Sequence, residues 1–212
     1  RSTLFPYTTL FRSTNREYGI QIGFEIHAPH TPADPVVAEF MRVIKEKGLK
    51  NFGLVPDFGM FIERPTEIAI ERYIGLGARR ENLEWIIANR HGGMSEEEMQ
   101  EHVATAMNGG EGERVAISEW FGYLSFAPAE LDSFAAMVPY VNYVHGKFYH
   151  LELDENGVVY EPTIPYERAL SILARGGFRG VFITEYEGHA FYLDDADEQI
   201  GRHRLVDRKS VV

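Results

Sequence analysis

Short apolar runs alternate along the chain with longer segments in which apolar residues recur at helical spacing. A helix between the first two runs is expected to be capped by Asp34, to open at Pro35 and to end at Gly48. A strand-helix alternation of this kind is typical of βα units that build a parallel sheet, so an α/β fold is predicted. The four runs predicted as strands are 20–26, 51–56, 140–145 and 180–185.

The segment from about 64 to 139 breaks this alternation because it is polar and helical throughout. Ser95 and Glu98 have the spacing of a capping box, which predicts a helix start there. A connection between strands usually has only a few residues, so this segment is interpreted as a helical insertion after the second strand. Beyond the third strand, Asn156-Gly157 predicts a turn in a loop or hairpin, followed by helices at 165–175 and 194–205.

Both ends of the chain are similar to translated sequencing adapter, and we predict that residues 1–13 and 207–212 are not native. The native segment, 14–206, is expected to form one partial domain. The whole chain carries 21 Lys+Arg and 32 Asp+Glu, a net charge of −11. Without the two end segments the counts are 17 and 31, which leaves −14.

This acidity argues against nucleic acid or an anionic membrane as a partner, since both would repel the chain. No apolar run approaches the roughly 18 residues of a membrane span, and a cytoplasmic protein is expected. There is no cysteine, so a bound metal must be held by oxygen and imidazole ligands.

Each predicted strand carries one acid or histidine at or near its carboxyl end: Glu25, Asp57, His145 and Glu185. Parallel strands bring such residues to one edge, which in a TIM barrel is the active-site face. Three carboxylates and one imidazole suit a single divalent ion, with Mn²⁺ expected first and Mg²⁺ or Co²⁺ as alternatives. One such residue alone more often caps a helix or forms an ion pair; the combination favours a metal site.

The strings Phe24-Glu25-Ile26-His27, Asp57-Phe58-Gly59, Val144-His145-Gly146-Lys147 and 180–185 resemble motifs on the last four strands of xylose isomerase-like TIM barrels. These barrels belong to the sugar phosphate isomerase/epimerase superfamily. The resemblance spans 14–206 apart from the insertion, and implies the C-terminal half of a (β/α)₈ barrel. Four strands are too few to close such a barrel, which needs eight.

The resemblance implies a metal-dependent sugar isomerase or epimerase that acts through an enediolate. Glu25 and Glu185, besides binding the metal, would move protons on opposite faces of the sugar. His27 stands where xylose isomerase has a lysine and could polarise a substrate oxygen or act as acid and base, although a hydrogen-bonded loop histidine is an equal alternative. Met60 occupies a position where many relatives have a histidine, which argues against ordinary ketose 3-epimerisation.

A narrower resemblance rests on Pro56-Asp57-Phe58-Gly59 and 145–149, which are similar to strings in C-glycoside deglycosidase catalytic subunits. It implies an elimination that releases the aglycone of a 3-oxo-glycoside. Two other hypotheses stay open: an endonuclease relative, which the net charge disfavours, and a non-catalytic sugar-binding TIM-barrel protein.

Several polar residues close to the proposed ligands are candidates for binding sugar hydroxyls. Glu187 shares a strand face with Glu185 and is therefore the rival for its ligand role. The expected partner is a small-molecule sugar or glycoside, with a homo-oligomer or a partner subunit as further possibilities. The candidate substrate-binding residues are His30, Lys147, His150, Glu187 and His189.

Overall fold

Helices and strands mix along the chain, which confirms the α/β prediction. The structure, a computed structural model, describes residues 17–188 and 195–209. The strands are β1 (Ile22–Ile26), β2 (Phe52–Pro56), β3 (Tyr143–Phe148), β4 (Glu152–Leu153), β5 (Val159–Tyr160) and β6 (Val181–Tyr186). The α-helices are α1 (Pro35–Lys47), α2 (Glu67–Gly75), α3 (Arg80–Asn89), α4 (Glu96–Ala106), α5 (Glu111–Phe121), α6 (Leu131–Met137), α7 (Tyr166–Arg175) and α8 (Ala196–Lys209).

The four long strands run parallel. β1 pairs with β2, β3 pairs with β6, and single parallel bridges, Leu54 to Val141 and Asp57 to His145, connect the two pairs. Within the described ranges these small sheets stay open, and no closed barrel forms. The α/β class is thus established, whereas a TIM barrel is not.

Three local expectations are met in the structure. Ser95 and Glu98 form the predicted capping box at the start of α4. Gly48 ends α1 in the left-handed conformation, with φ of 56°. The predicted hairpin turn joins β4 and β5, and the Asp154 carboxylate accepts hydrogen bonds from the backbone N–H groups of Asn156 and Val158.

Two expectations need correction. Asp34 lies at the N-cap of α1, but its side chain does not cap the helix. It instead accepts hydrogen bonds from the ring of His30 and the backbone of Thr31. The third strand begins at Tyr143 rather than 140, because Val138–Tyr140 forms a 3₁₀ turn, and it continues to Phe148.

The segment predicted as a helical insertion forms helices α2 to α6. Tyr73, Ile86 and Trp120 are among the side chains that it buries in the core. Arg72 on α2 binds the Glu119 carboxylate of α5 with two hydrogen bonds, of 2.7 and 3.1 Å. This forked pair fixes the end of α5, which matters for the site described below.

Helix α8 covers β3 and β6 with a buried histidine. The His203 ring stacks on Phe148 with a centroid separation of 4.4 Å, and is 1% exposed. Its Nε2 lies 3.2 Å from the Tyr166 hydroxyl, which itself donates to the Lys147 carbonyl. Nε2 therefore carries the proton, and Nδ1 accepts from Thr184 at 3.1 Å. None of the helices in the described ranges is both long and apolar enough to cross a membrane.

We expect acid to destabilise the protein through His203. Burial lowers the pKa of His203 to about 4. The unfolded chain protonates this ring near pH 6.5, so between pH 6.5 and 4 it binds more protons than the folded chain, and stability falls as pH decreases. The loss reaches about 3 kcal/mol at most.

Urea unfolding at a series of pH values measures this effect. His203→Phe keeps an aromatic ring against Phe148 but cannot titrate, and should flatten the slope between pH 6.5 and 4. His30→Gln, which changes an exposed histidine, should keep the slope. An unchanged slope in His203→Phe would show that other groups cause the acid sensitivity.

Candidate metal and substrate site

The four residues predicted as metal ligands meet at one edge of the parallel strands. Glu25 lies on β1, Asp57 directly follows β2, His145 lies on β3 and Glu185 on β6. One ligand atom from each lies within 4.8 Å of the other three. Because the strands are parallel, residues far apart in sequence reach the same edge.

The strand register explains the convergence on β3 and β6. His145 and Lys147 are two positions apart and therefore share one face of β3. Lys147 lies opposite Glu185 in the parallel pairing. His145 Nδ1 is 2.7 Å from Glu25 Oε1 and 3.1 Å from Glu185 Oε2. One imidazole thus contacts carboxylates from both outer strands.

The donor set fits a divalent cation. Two ligand atoms on opposite sides of an ion, each at about 2.1 Å from it, lie about 4.2 Å apart. The four ligand atoms lie within 4.8 Å of one another, so only small movements of the side chains would be required. Asp57 Oδ2 and Glu185 Oε2 are buried and accept no well-oriented hydrogen bond. Buried carboxylate oxygens normally have partners, and a cation would supply one. Oxygen-rich coordination with one imidazole suits Mn²⁺ or Mg²⁺.

Lys147 is the buried cation of this cluster. Its Nζ lies 2.6 Å from Asp57 Oδ2, 3.3 Å from Glu187 Oε1 and 3.5 Å from Glu185 Oε1. The short contact with Asp57 is a charge contact without hydrogen-bond alignment. Gly59 makes room for the lysine stem, since a Cβ there would be 2.8 Å from Lys147 Cδ.

Burial and crowded charges shift the pKa values of this cluster. For Asp57, burial raises the pKa more than Lys147 and the Gly59 N–H lower it. For Glu185, burial and the nearby Asp57 raise the pKa above its ordinary value. Burial lowers the pKa of Lys147, but the carboxylates of Asp57, Glu187 and Glu185 outweigh it and raise the pKa overall. The site therefore has an excess of negative charge that a cation would relieve.

A cleft of about 310 Å³ opens over this cluster. That volume lies at the small end of the range for small-molecule sites. Three of the proposed ligands line it, together with three other predicted site residues, His27, Lys147 and Glu187. The complete lining is Glu25, His27, Ala28, Asp57, Gly59, Tyr123, Lys147, Tyr149, Glu185 and Glu187.

Two of the other predicted substrate-binding residues do not line the cleft. His30 is exposed and pairs with Asp34 at 2.7 Å, and His150 lies 3.2 Å from Gln199 Nε2. Neither is among the residues that line the cleft. His189 falls outside the described residues. Met60, which departs from the histidine of many xylose isomerase-like proteins, is buried in the hydrophobic core.

Sequence reasoning missed Tyr123, which lies beyond the end of α5 and lines the cleft. The insertion was predicted as helical, but nothing in its pattern of apolar residues indicates which turn reaches the site. The sole local signal for Tyr123 was its place in the sequence. It is an aromatic residue between Gly122, which ends α5, and Leu124, which is buried.

The amino-acid sequence is similar to those of deglycosidase alpha subunits. The chain is 29% identical over 202 residues to the 3'-dehydrocarminate deglycosidase alpha subunit of a Microbacterium species. It is 27% identical over 193 residues to a C-glycoside deglycosidase alpha subunit of Arthrobacter globiformis, and 25% over 207 to one of Microbacterium trichothecenolyticum.

These alignments cover 89%, 82% and 91% of the chain, and 57%, 49% and 54% of the respective relatives. The chain thus spans about half the length of the curated relatives that it matches. No family model matches it. The similarity supports the narrower of the two resemblances, to deglycosidase subunits acting on glycosides.

Replacing Lys147 by Met should destabilise the chain without added metal. The buried Asp57 carboxylate would lose its nearest cation, and breaking such a pair costs about 3 kcal/mol. Urea unfolding measures the loss, and saturating Mn²⁺ should restore part of it. Arg42→Met removes an exposed pairing with Glu39 and Glu46 and should cost much less stability, because solvent screens that pairing. If Lys147→Met and Arg42→Met lost equal amounts of stability, burial of the Lys147–Asp57 pair would not explain the effect of Lys147→Met.

Proposed function

We propose that this chain carries the metal and substrate site of a divalent-metal-dependent deglycosidase that eliminates the aglycone from a 3-oxo-glycoside. The single observation that carries the proposal is the convergence of three carboxylates and an imidazole within 4.8 Å. Similarity to deglycosidase alpha subunits supports the substrate class.

In this proposal Glu25, Asp57, His145 and Glu185 hold one ion, with Mn²⁺ the first candidate. Bound there, the ion would supply Lewis-acid polarisation of the sugar carbonyl and a neighbouring hydroxyl. Lys147 stays paired with Asp57 and Glu187 at the edge of the ligand set, where its ammonium can also face a sugar hydroxyl.

His27 is the proposed acid-base residue. Its Nδ1 lies 2.6 Å from the carbonyl oxygen of Ala28, which can only accept a hydrogen bond. The proton of the neutral ring is therefore on Nδ1, and Nε2 presents a lone pair. His27 is exposed and lines the cleft, so this nitrogen is available for proton transfer.

In the proposed elimination, His27 alone removes a proton from the sugar and returns it to the aglycone. Nε2 of His27 takes the proton from the sugar carbon next to the carbonyl. The bond from the anomeric carbon to the aglycone breaks, its electron pair leaves with the aglycone, and a carbon–carbon double bond forms in the sugar. The imidazolium then returns the proton to the aglycone, so no water, oxidant or reductant is consumed.

Isomerisation or epimerisation of a free sugar is the second candidate function. Glu25 and Glu185 would then move protons between the two faces of the substrate, as the broader resemblance implies. Met60 weighs against ordinary ketose epimerisation, because a core side chain offers no hydrogen bond to the sugar. A sugar-binding protein without activity is the third candidate, and metal binding tests it.

The wider architecture is part of the same proposal. The four parallel strands run in the order expected for the C-terminal half of a (β/α)₈ barrel. We assign residues 14–206 to that half-barrel and residues 1–13 and 207–212 to adapter-derived ends. We also propose a partner subunit, in line with the alpha-subunit names of the relatives.

Titration calorimetry with Mn²⁺ tests the ligand set. Glu185→Gln and Asp57→Asn should each weaken Mn²⁺ binding by at least about tenfold, since each removes a charged ligand. Glu187→Gln is the matched control, because Glu187 lines the cleft but lies outside the ligand set, and should change the affinity about twofold or less.

An unaltered chain that binds no divalent ion would exclude the metal-dependent functions. A larger loss in Glu187→Gln than in Glu185→Gln would instead transfer the ligand role to Glu187. Far-UV circular dichroism of each variant shows whether a loss of binding reflects a loss of fold.

His27→Gln should lower aglycone release from a 3-oxo-C-glucoside by about 100-fold or more, because it removes the acid-base group. Mn²⁺ affinity should stay within about threefold, since His27 is not a ligand. NMR follows release of the aglycone, and His30→Gln serves as the control in an exposed histidine. Interconversion of free ketoses without aglycone release would select the isomerase function instead.

A further inference from the structure

The helical insertion contributes one aromatic side chain to the cleft. Tyr123 is 58% exposed and lines the same cavity as Glu25, Asp57 and Glu185. Of the exposed large apolar and aromatic side chains in 17–188 and 195–205, it alone lines this cleft. Tyr149, the other aromatic residue of the lining, is buried.

The fold holds Tyr123 in place at both ends of its loop. The N–H of Leu124 donates to the Glu119 carbonyl at the end of α5, at 3.0 Å. The N–H of Ala127 donates to the Ile62 carbonyl, also at 3.0 Å, which ties the loop to the segment that follows β2. Leu124 and Phe126 are both buried, so the side chains beside Tyr123 anchor the loop in the core.

Contacts between helices α2 and α5 of the insertion also support the position of Tyr123. Glu119, four residues before Tyr123, accepts hydrogen bonds from Arg72 and from the hydroxyl of Tyr73. Arg72 and Glu119 are largely buried, with side chains 23% and 16% exposed. A forked ion pair of this kind is directional, so it fixes the orientation of the turn that carries Tyr123.

The cleft therefore has two chemically different parts. One part consists of carboxylates, a lysine and His27, which suit the oxygen atoms of a sugar. The other is the exposed ring of Tyr123, whose face suits a flat, apolar group. A substrate that fills both parts has a polar ring joined to a planar substituent.

We propose that Tyr123 determines specificity by stacking on an aromatic aglycone while the sugar faces the carboxylates. This inference rests on the proposed function, because it assigns the two parts of a glycoside to the two parts of that site. Tyr123 makes the contact through its ring face, and its hydroxyl is not required.

Titration calorimetry with two glucosides tests the inference. Phenyl C-glucoside and methyl C-glucoside share the sugar and differ only in the aglycone, and neither has the 3-oxo group required for elimination. The Mn²⁺-loaded 212-residue chain should bind the phenyl compound roughly fivefold more tightly, as one aromatic contact permits. Tyr123→Ala should abolish this preference and leave the affinity for methyl C-glucoside unchanged.

Two further variants separate stacking from damage to the fold. Tyr123→Phe keeps the ring and should keep the preference for the phenyl compound. Tyr160→Ala removes a tyrosine that is 41% exposed on the β4–β5 hairpin, away from the cleft lining, and should behave as the unaltered chain.

Equal affinity of the unaltered chain for the two glucosides, including no binding of either, would overturn the inference. So would an equal loss for both compounds in Tyr123→Ala, which would mean that the ring contacts the sugar. The Mn²⁺ affinity of Tyr123→Ala should match that of the unaltered chain. If Mn²⁺ does not bind but the phenyl preference persists and depends on Tyr123, the metal-dependent function fails while the aromatic contact stands.

Discussion

The structure depends on the buried carboxylate of Asp57, where the two strand pairs meet. Its backbone N–H donates to the Ile26 carbonyl at the end of β1, and the residue bridges to His145 on β3. Its side chain accepts a hydrogen bond from Gly59 at 2.7 Å and lies against the Lys147 ammonium. A fully buried carboxylate is stable only when its charge is compensated, so the cation and the parallel bridge at this point depend on each other.

The candidate ligands were predictable from sequence because their positions follow from those of the parallel strands. An apolar run that ends in an acid or histidine indicates both a strand and the edge to which its last side chain belongs. Glu25 and Glu185 lie one residue before the ends of β1 and β6, and Asp57 directly follows β2, whereas His145 lies within β3; parallel pairing brings the four together. The prediction needed only strand direction, which the alternation with helices supplies.

Local competition for a side chain and packing between distant elements could not be predicted in the same way. Asp34 has the sequence of a helix cap, yet the neighbouring His30 competes for its carboxylate. Tyr123 reaches the cleft because the ion pair between Arg72 and Glu119 orients α5, and those two residues are 47 positions apart. No local pattern encodes such a pairing, so the insertion was predictable as helices but not as a wall of the site.

The proposed set of metal ligands is compatible with both candidate reactions. Enolising a sugar and eliminating an aglycone both begin with removal of a proton next to a carbonyl. In the proposed function Glu25, Asp57, His145 and Glu185 would hold the metal that supports this shared step, and they lie on or next to parallel strands. In our proposal the aglycone is contacted instead by the loop after α5, which is attached through the Ala127 to Ile62 hydrogen bond to the segment that follows β2. Changes in that loop can alter substrate choice without disturbing the ligand set, because the insertion contributes Tyr123 to the cleft lining but none of the four converging ligand atoms.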